Sequence, residues 1–339
     1  RKTGIHMKIA VLGAGAIGCY LGAVLGKHHE VTLIGRERLI NAFNRAGHMA
    51  LSDYQERDCQ YSNLTVTDST DALASADLIL LTVKCLAVHE AAQQLQAFAA
   101  KTTPVISLQN GIGSDDMLRQ LRNPVIRGIV GFNVAPMDNC RFHRGTEGDV
   151  YCEELIDSTI ANELDSAFYD MGFRLHTTSG FEALQWAKLQ LNLNNAINAV
   201  SNLPLKQELE TRGYRTILSL AMSELIEVTK QEQLKLPKLT KLPARWIPVL
   251  LKAPDSWFKK LASSMLAIDP QARSSMWEDL NNQQATEIDY INGAVVRAAH
   301  ALGLQVPANL TLIELIKDIE EGRRTPGIPS DDILEEIKK

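Results

Sequence analysis

Residues 8–18, Lys8-Ile9-Ala10-Val11-Leu12-Gly13-Ala14-Gly15-Ala16-Ile17-Gly18, decide the fold. The first five form a short apolar run ending in glycine, which predicts a buried parallel strand. Glycines at 13, 15 and 18 complete a GxGxxG directly after it, and helix-compatible sequence follows through Lys27. In this strand–turn–helix context each glycine has a physical task. The first permits the tight turn, the second lets a pyrophosphate approach the backbone, and the third allows helix and strand to pack closely. The helix N-terminus then offers unpaired N–H groups and the positive end of its dipole. Gly13, Ala14, Gly15, Ala16, Ile17 and Gly18 are therefore the expected dinucleotide-binding turn.

Outward from this turn, Glu30–Ile34 (EVTLI) predicts a second strand and closes a βαβ unit. Further strands are predicted at 77–83, 104–108 and Val125–Val130, with a helix over Val88–Phe98. Such alternation predicts an α/β fold whose N-terminal part is a Rossmann-type, doubly wound parallel sheet. From Phe181 onward helical periodicity dominates, so a mainly α-helical C-terminal domain should follow. A chain of 339 residues also exceeds the size at which one core keeps growing. The expected division is a dinucleotide-binding Rossmann domain over 7–177 and a helical domain over 178–335. Residues 1–6 read as a remnant ahead of a natural start at Met7. One stretch is unusual: residues 234–254 carry Pro237, Pro243, Pro248 and Pro254 among apolar and basic side chains. Proline breaks helices, so an irregular excursion between two helices is predicted. Its leucines, with Trp246, Trp257 and Phe258, are expected to pack on the domain rather than to form a partner surface.

Charge and composition exclude several classes. A net charge of −5 argues against nucleic-acid binding, which normally needs a basic surface. No stretch approaches the ~18 consecutive apolar residues of a membrane helix. The absence of a secretory signal before the glycine motif predicts a cytoplasmic protein. Five scattered cysteines, none in a CxxC pair, read as free thiols, and the histidines never fall into ligand spacing, so no metal is expected. A homodimer through the helical domain is compatible with the sequence.

The second strand ends Leu33-Ile34-Gly35-Arg36, where an NAD-binding domain would place an acid against the ribose hydroxyl. A guanidinium there pairs with a 2′-phosphate instead, so Arg36 selects NADP(H). Thr82-Val83-Lys84 and Gln109-Asn110-Gly111-Ile112-Gly113 each follow a predicted strand, which points Lys84 and Asn110 towards the cofactor crevice. Further on, Trp186-Ala187-Lys188-Leu189-Gln190-Leu191-Asn192-Leu193-Asn194-Asn195 sets Lys188, Asn192 and Asn195 at i, i+4 and i+7, one helical face. That stripe suits a polar pocket wall with one ammonium, or equally a solvated face.

Two more segments resolve the choice. Arg273-Ser274-Ser275-Met276-Trp277-Glu278-Asp279-Leu280 leads into Thr286-Glu287-Ile288-Asp289-Tyr290-Ile291-Asn292-Gly293. Together with GAGAIG, TVK, QNGIG and the lysine helix, in this order over residues 7–320, the chain resembles the ketopantoate reductase (2-dehydropantoate 2-reductase) family. The resemblance implies NADPH-dependent reduction of ketopantoate to pantoate, a step towards pantothenate and coenzyme A. It implies Lys188 as general acid and Glu287 as its acidic partner. Lys84 would lie beside the nicotinamide, Asn110 between cofactor and substrate, and Asn192 and Ser275 along the substrate. Where the family often carries a second asparagine, two turns after the lysine, this chain has Ala196; Asn195 or Asn198 are the candidates to replace it. The alternatives are a related NADP-dependent dehydrogenase for another 2-keto or 3-hydroxy acid, or a non-catalytic NADP(H)-binding redox sensor. The chemistry stands without the name: hydride delivery to a keto carbon leaves charge on oxygen, which a positioned cationic acid must meet.

Overall fold

The computed structural model describes residues 5–262 and 270–339. Residues 1–4 of the expected remnant, and 263–269 of the helical half, lie outside the described residues. The strands, in chain order, are β1 (Lys8–Leu12), β2 (Glu30–Ile34), β3 (Met49–Asp53), β4 (Asp58–Tyr61), β5 (Thr65–Thr67) and β6 (Leu78–Leu81). They continue with β7 (Val105–Ser107), β8 (Val125–Val130), β9 (Val134–Met137), β10 (Arg141–Arg144), β11 (Val150–Glu153) and β12 (Leu175–Thr178). Two compact units result. The first joins Arg1–Asn110 to Ser114–Phe181; the second joins Gly111–Gly113 to Glu182–Lys339.

In the first unit eight strands form one sheet in the order β12-β11-β8-β7-β6-β1-β2-β5. Every pairing is parallel except β8 with β11. Period-two alternation makes two cores from one strand. Ile9 and Val11 pack on one face, Ala10 and Leu12 on the other, and β6 repeats this with Leu78 and Leu80 against Ile79 and Leu81. Each fully buried aliphatic contributes roughly 1.5–3 kcal/mol, which is why such a strand reads as a continuous apolar run. Helices α1 (Ala16–Leu25), α2 (Glu37–Ala46), α3 (Val88–Phe98) and α4 (Ser158–Tyr169) complete the unit.

The sequence pattern did not announce a second, four-stranded sheet in the order β4-β3-β10-β9. Its strands are short, and β10 carries a fully buried arginine where an apolar residue would mark a core position. Arg144 stands opposite Asp53 in the parallel β3–β10 register, and their side chains pair at 3.1 Å with neither exposed. The guanidinium also lies over the rings of Tyr54, Phe132 and Phe173.

The second unit is helical among its described residues: α5 (Phe181–Asn192), α6 (Asn194–Ser201), α7 (Leu205–Glu210), α8 (Arg212–Gln231), α9 (Ile247–Leu251) and α10 (Asp255–Leu261) lead. α11 (Ser275–Asn281), α12 (Asn292–Ala301), α13 (Pro307–Glu320) and α14 (Ser330–Ile337) follow. α8 buries Tyr214, Ile217, Leu218, Ala221, Leu225 and Val228, a stripe at helical spacing that anchors the shared core. The proline-rich excursion is irregular only in its first part. Pro243 precedes a 3₁₀ turn at Ala244–Trp246, and Pro248 sits in the first turn of α9, where its missing N–H costs nothing. Phe258 packs as expected, but Trp246 and Trp257 do not: they remain 50% and 66% exposed.

Candidate active site

The residues singled out by the sequence fall in two groups, one on each unit. On the sheet unit they follow the carboxyl ends of neighbouring parallel strands. The glycine turn follows β1, Arg36 follows β2, Lys84 follows β6 and Asn110 follows β7. From β1 the chain moves to β2 on one side and later to β6 on the other, so the turn lies where the strand order reverses, the place where open α/β sheets bind ligands.

The three glycines divide by cause. Gly13 has φ +96°, and a Cβ there would fall 2.5 Å from the Val83 nitrogen. A Cβ on Gly18 would lie 2.4 Å from the Thr82 hydroxyl oxygen, which itself donates to the Gly13 carbonyl at 2.7 Å. Internal packing accounts for both. Gly15 differs: no protein atom comes nearer than 3.9 Å to its missing Cβ. It caps α1, whose first turn holds no acidic side chain. This open approach to helix N–H groups fits a pyrophosphate.

Arg36 is exposed at the N-cap of α2 and makes no ion pair among the described residues. Lys84 and Asn110 are also exposed. Asn110 is fixed through its backbone, whose carbonyl accepts from the Cys85 thiol at 2.8 Å. The residues directly after it, Gly111–Gly113, belong to the helical unit. There the Ile112 N–H donates to the Tyr290 carbonyl at 2.9 Å, and Arg297 donates to the carbonyls of Ile112 and Asp289. Gly111, at φ +83°, could carry no side chain, since a Cβ would sit 2.4 Å from the Tyr290 oxygen.

On the helical unit, Lys188 and Asn192 lie on α5 and Asn195 on the first turn of α6, all half-buried. The predicted single helix is divided at Leu193, although that residue keeps helical angles and its N–H still donates to the Leu189 carbonyl at 3.1 Å. Lys188 is packed so that burial lowers its ammonium to about 8, with the charge of Glu287 opposing the shift. Glu287 is itself buried, at the start of a 3₁₀ turn over Ile288–Tyr290. The Lys188–Glu287 pair brings α5 and a distant segment into electrostatic contact. Ser275, the first residue of α11, is exposed.

The sequence reading missed Ser274 and the role of Asn198. The Ser274 hydroxyl caps α11 by accepting from the Trp277 N–H and donates to the Asn195 carbonyl at 3.1 Å. Its own N–H donates to Asn198 Oδ1 at 2.9 Å. Asn198 Nδ2 is used as well, by the Leu203 carbonyl and by Glu208 Oε2, each at 2.9 Å. Glu208 is buried, and burial pushes its carboxyl up to about 8. Asn198 is therefore committed to architecture, with both ends of its amide occupied, and Ala196 is fully buried in the core. Of the two candidates for the missing asparagine, only Asn195 keeps a partly exposed side chain. A serine before a helix is the one sequence signal that could have marked Ser274.

A doubly wound sheet with a glycine turn at its switch point, followed by a helical unit, defines the class of two-unit Rossmann-type oxidoreductases. The chain matches the family Ketopantoate reductase PanE/ApbA over residues 9–157 and its C-terminal counterpart over 180–320. It is 28% identical over 341 residues to the 2-dehydropantoate 2-reductase of Escherichia coli O157:H7, covering 95% of this chain and 99% of that one. To the enzyme of that name from Pyrococcus horikoshii it is 29% identical, covering 92% and 97%. The crystal structure of a PanE/ApbA family ketopantoate reductase from Ralstonia eutropha JMP134 superposes with a TM-score of 0.78 at 31% identity, covering 94% and 99%. The chain belongs to the ketopantoate reductase family, a family of oxidoreductases.

Proposed function

We propose that this protein reduces a small 2-keto acid to the 2-hydroxy acid with NADPH, and that the keto acid is ketopantoate. The observation that carries the reading is the buried Lys188 ammonium, lowered to about 8 and accompanied by Glu287. A proton donor works best when its pKa lies near the working pH, and this lysine is brought there by burial.

The glycine turn would hold the pyrophosphate, Arg36 the 2′-phosphate, and Lys84 and Asn110 the nicotinamide end. A bound NADPH supplies the hydride. As negative charge develops on the keto oxygen, Lys188 stabilises it and delivers the proton. Glu287 keeps the ammonium charged and accepts from a substrate hydroxyl. Asn110, Asn192, Asn195 and Ser275 supply neutral donors for the substrate carboxylate and hydroxyl. A complete donor set of this kind favours an enzyme over a silent sensor, which would not need a proton donor. A homodimer through the helical unit is part of the same proposal, to be read from sedimentation.

Steady-state NADPH oxidation with ketopantoate, 2-ketoisovalerate and related acids tests the reading. We expect ketopantoate to give the highest kcat/KM. Faster turnover of another keto acid would reassign the substrate, and no turnover of any would favour the sensor.

A further inference from the structure

The segment 234–262 stands apart from the rest of the surface. It carries seven basic side chains, Lys235, Lys238, Lys241, Arg245, Lys252, Lys259 and Lys260, against the single acid Asp255. That is a net charge of +6 in a chain whose total is −5. All seven basic residues are exposed, and none forms an ion pair among the described residues. Asp255 is taken by Arg215 at 2.6 Å, so it does not offset them. Large exposed apolar side chains are interleaved with these cations along the segment. Trp246, at the end of the 3₁₀ turn, and Val249 on α9 are 50% and 58% exposed, and Trp257 and Leu261 on α10 are 66% and 61% exposed. Trp246 and Val249 are three residues apart and Trp257 and Leu261 four, so each pair lies on one helical face.

We propose that this segment is a docking surface for an anionic lipid membrane, on which the protein rests peripherally. Exposed tryptophan costs solvation free energy in water but prefers the boundary between headgroups and acyl chains. Surrounding lysines are attracted to the negative surface potential of anionic lipids. The two together are the composition of interfacial helices that lie on a membrane without spanning it. No described helix is long and apolar enough to cross one. Charge disfavours a second copy of the chain as occupant, because a two-fold contact would bring two +6 segments together. The tryptophans disfavour a purely acidic macromolecule, which would need the cations alone. The helices also present the patch firmly: Arg215 clamps the carbonyls of Leu251 and Ala253, and Phe258 is buried beneath its guanidinium.

The test is co-sedimentation of the full chain with vesicles of phosphatidylglycerol and phosphatidylcholine, against vesicles of phosphatidylcholine alone. The chain should sediment with the anionic vesicles at low salt, be released as salt rises, and shift its tryptophan emission to the blue. Trp246→Ser/Trp257→Ser should lose the binding and the shift, and Lys259→Glu/Lys260→Glu should weaken binding, while both keep the wild-type circular dichroism and NADPH oxidation. Three results would overturn the proposal. One is no binding to anionic vesicles. Another is unchanged binding by the tryptophan variant together with equal capture by soluble polyglutamate, which would assign the patch to an acidic macromolecule. The last is a concentration-dependent dimer that the tryptophan variant abolishes, which would assign it to a second copy.

Discussion

Two cations in the helical unit, the fully buried Arg215 and the half-buried Lys188, show how the same element type serves two purposes. The Arg215 side chain is fully buried, yet each of its five N–H groups has an acceptor. They donate to the carbonyls of Leu209, Glu210, Leu251 and Ala253 and to the Asp255 carboxylate, at 2.6–3.1 Å. The ring of Phe258 lies 4.2 Å from the guanidinium carbon. Nothing is left over, and the group can only hold structure. Lys188 differs in its titration. Burial lowers it to about 8, and the charge of Glu287 opposes the shift without cancelling it. A cation held near its proton-release point is suited to chemistry. A guanidinium that stays charged builds the scaffold, and an ammonium brought near its proton-release point can serve as a reactive group.

The largest effect should come from breaking the saturated side. Arg215→Met would orphan the Leu209 and Leu251 carbonyls, both on buried bonds, and release the 251–258 segment. At about 1–3 kcal/mol for each stranded acceptor, a loss of about 3 kcal/mol or more is expected in urea unfolding. An unchanged midpoint would mean that the saturated arginine is not structural.

Lys188 should give the reverse pattern. Lys188→Ala is expected to lower kcat about 100-fold or more, about 2.7 kcal/mol of barrier, with little change in NADPH affinity. A rise in KM with kcat intact would reduce the lysine to an electrostatic anchor. Stability should not fall with activity. Because the folded pKa lies below the ordinary lysine value near 10.4, the unfolded chain binds more protons between about pH 8 and that value. Folding stability from this group therefore rises with pH across that window and is least favourable below it. Lys188→Met should be at least as stable as wild type at pH 7, by the same urea titration. In wild type, kcat/KM should decline as pH rises through about 8, as the acid is lost, and this limb should vanish in the lysine variant.

The smallest effect extends the comparison to a cation with no ion-pair partner among the described residues. Arg36 is exposed and unpaired among the described residues. Arg36→Ala should cost about 1–3 kcal/mol of NADPH affinity while leaving NADH binding nearly unchanged. Equal NADPH preference in both proteins would remove Arg36 from the cofactor site.

What was legible follows from range. The strand–glycine–helix turn is a run of neighbours, and its meaning lies in local backbone geometry that only glycine allows. Lys188 and Asn192 were legible for the same reason, since helical spacing alone puts them on one face. Arg144 and Asp53 were not, because their partnership depends on a parallel register between strands far apart in the chain. A buried arginine gives no apolar signal to mark its strand.

The sequence by itself therefore determined the doubly wound sheet, the helical second half, and the residue types of the candidate site, all through short-range periodicity and turn chemistry. Tertiary structure alone decided which groups are spent and which are available. It occupied both ends of the Asn198 amide and left the Asn195 side chain partly exposed. It explained Gly13 and Gly18 by contacts with the strand-end residues Val83 and Thr82, and left Gly15 bare. It also buried Phe258 while leaving Trp246 and Trp257 in solvent. The reason is common to all three: satisfaction and burial are properties of neighbours in space, and the chain names only neighbours in sequence.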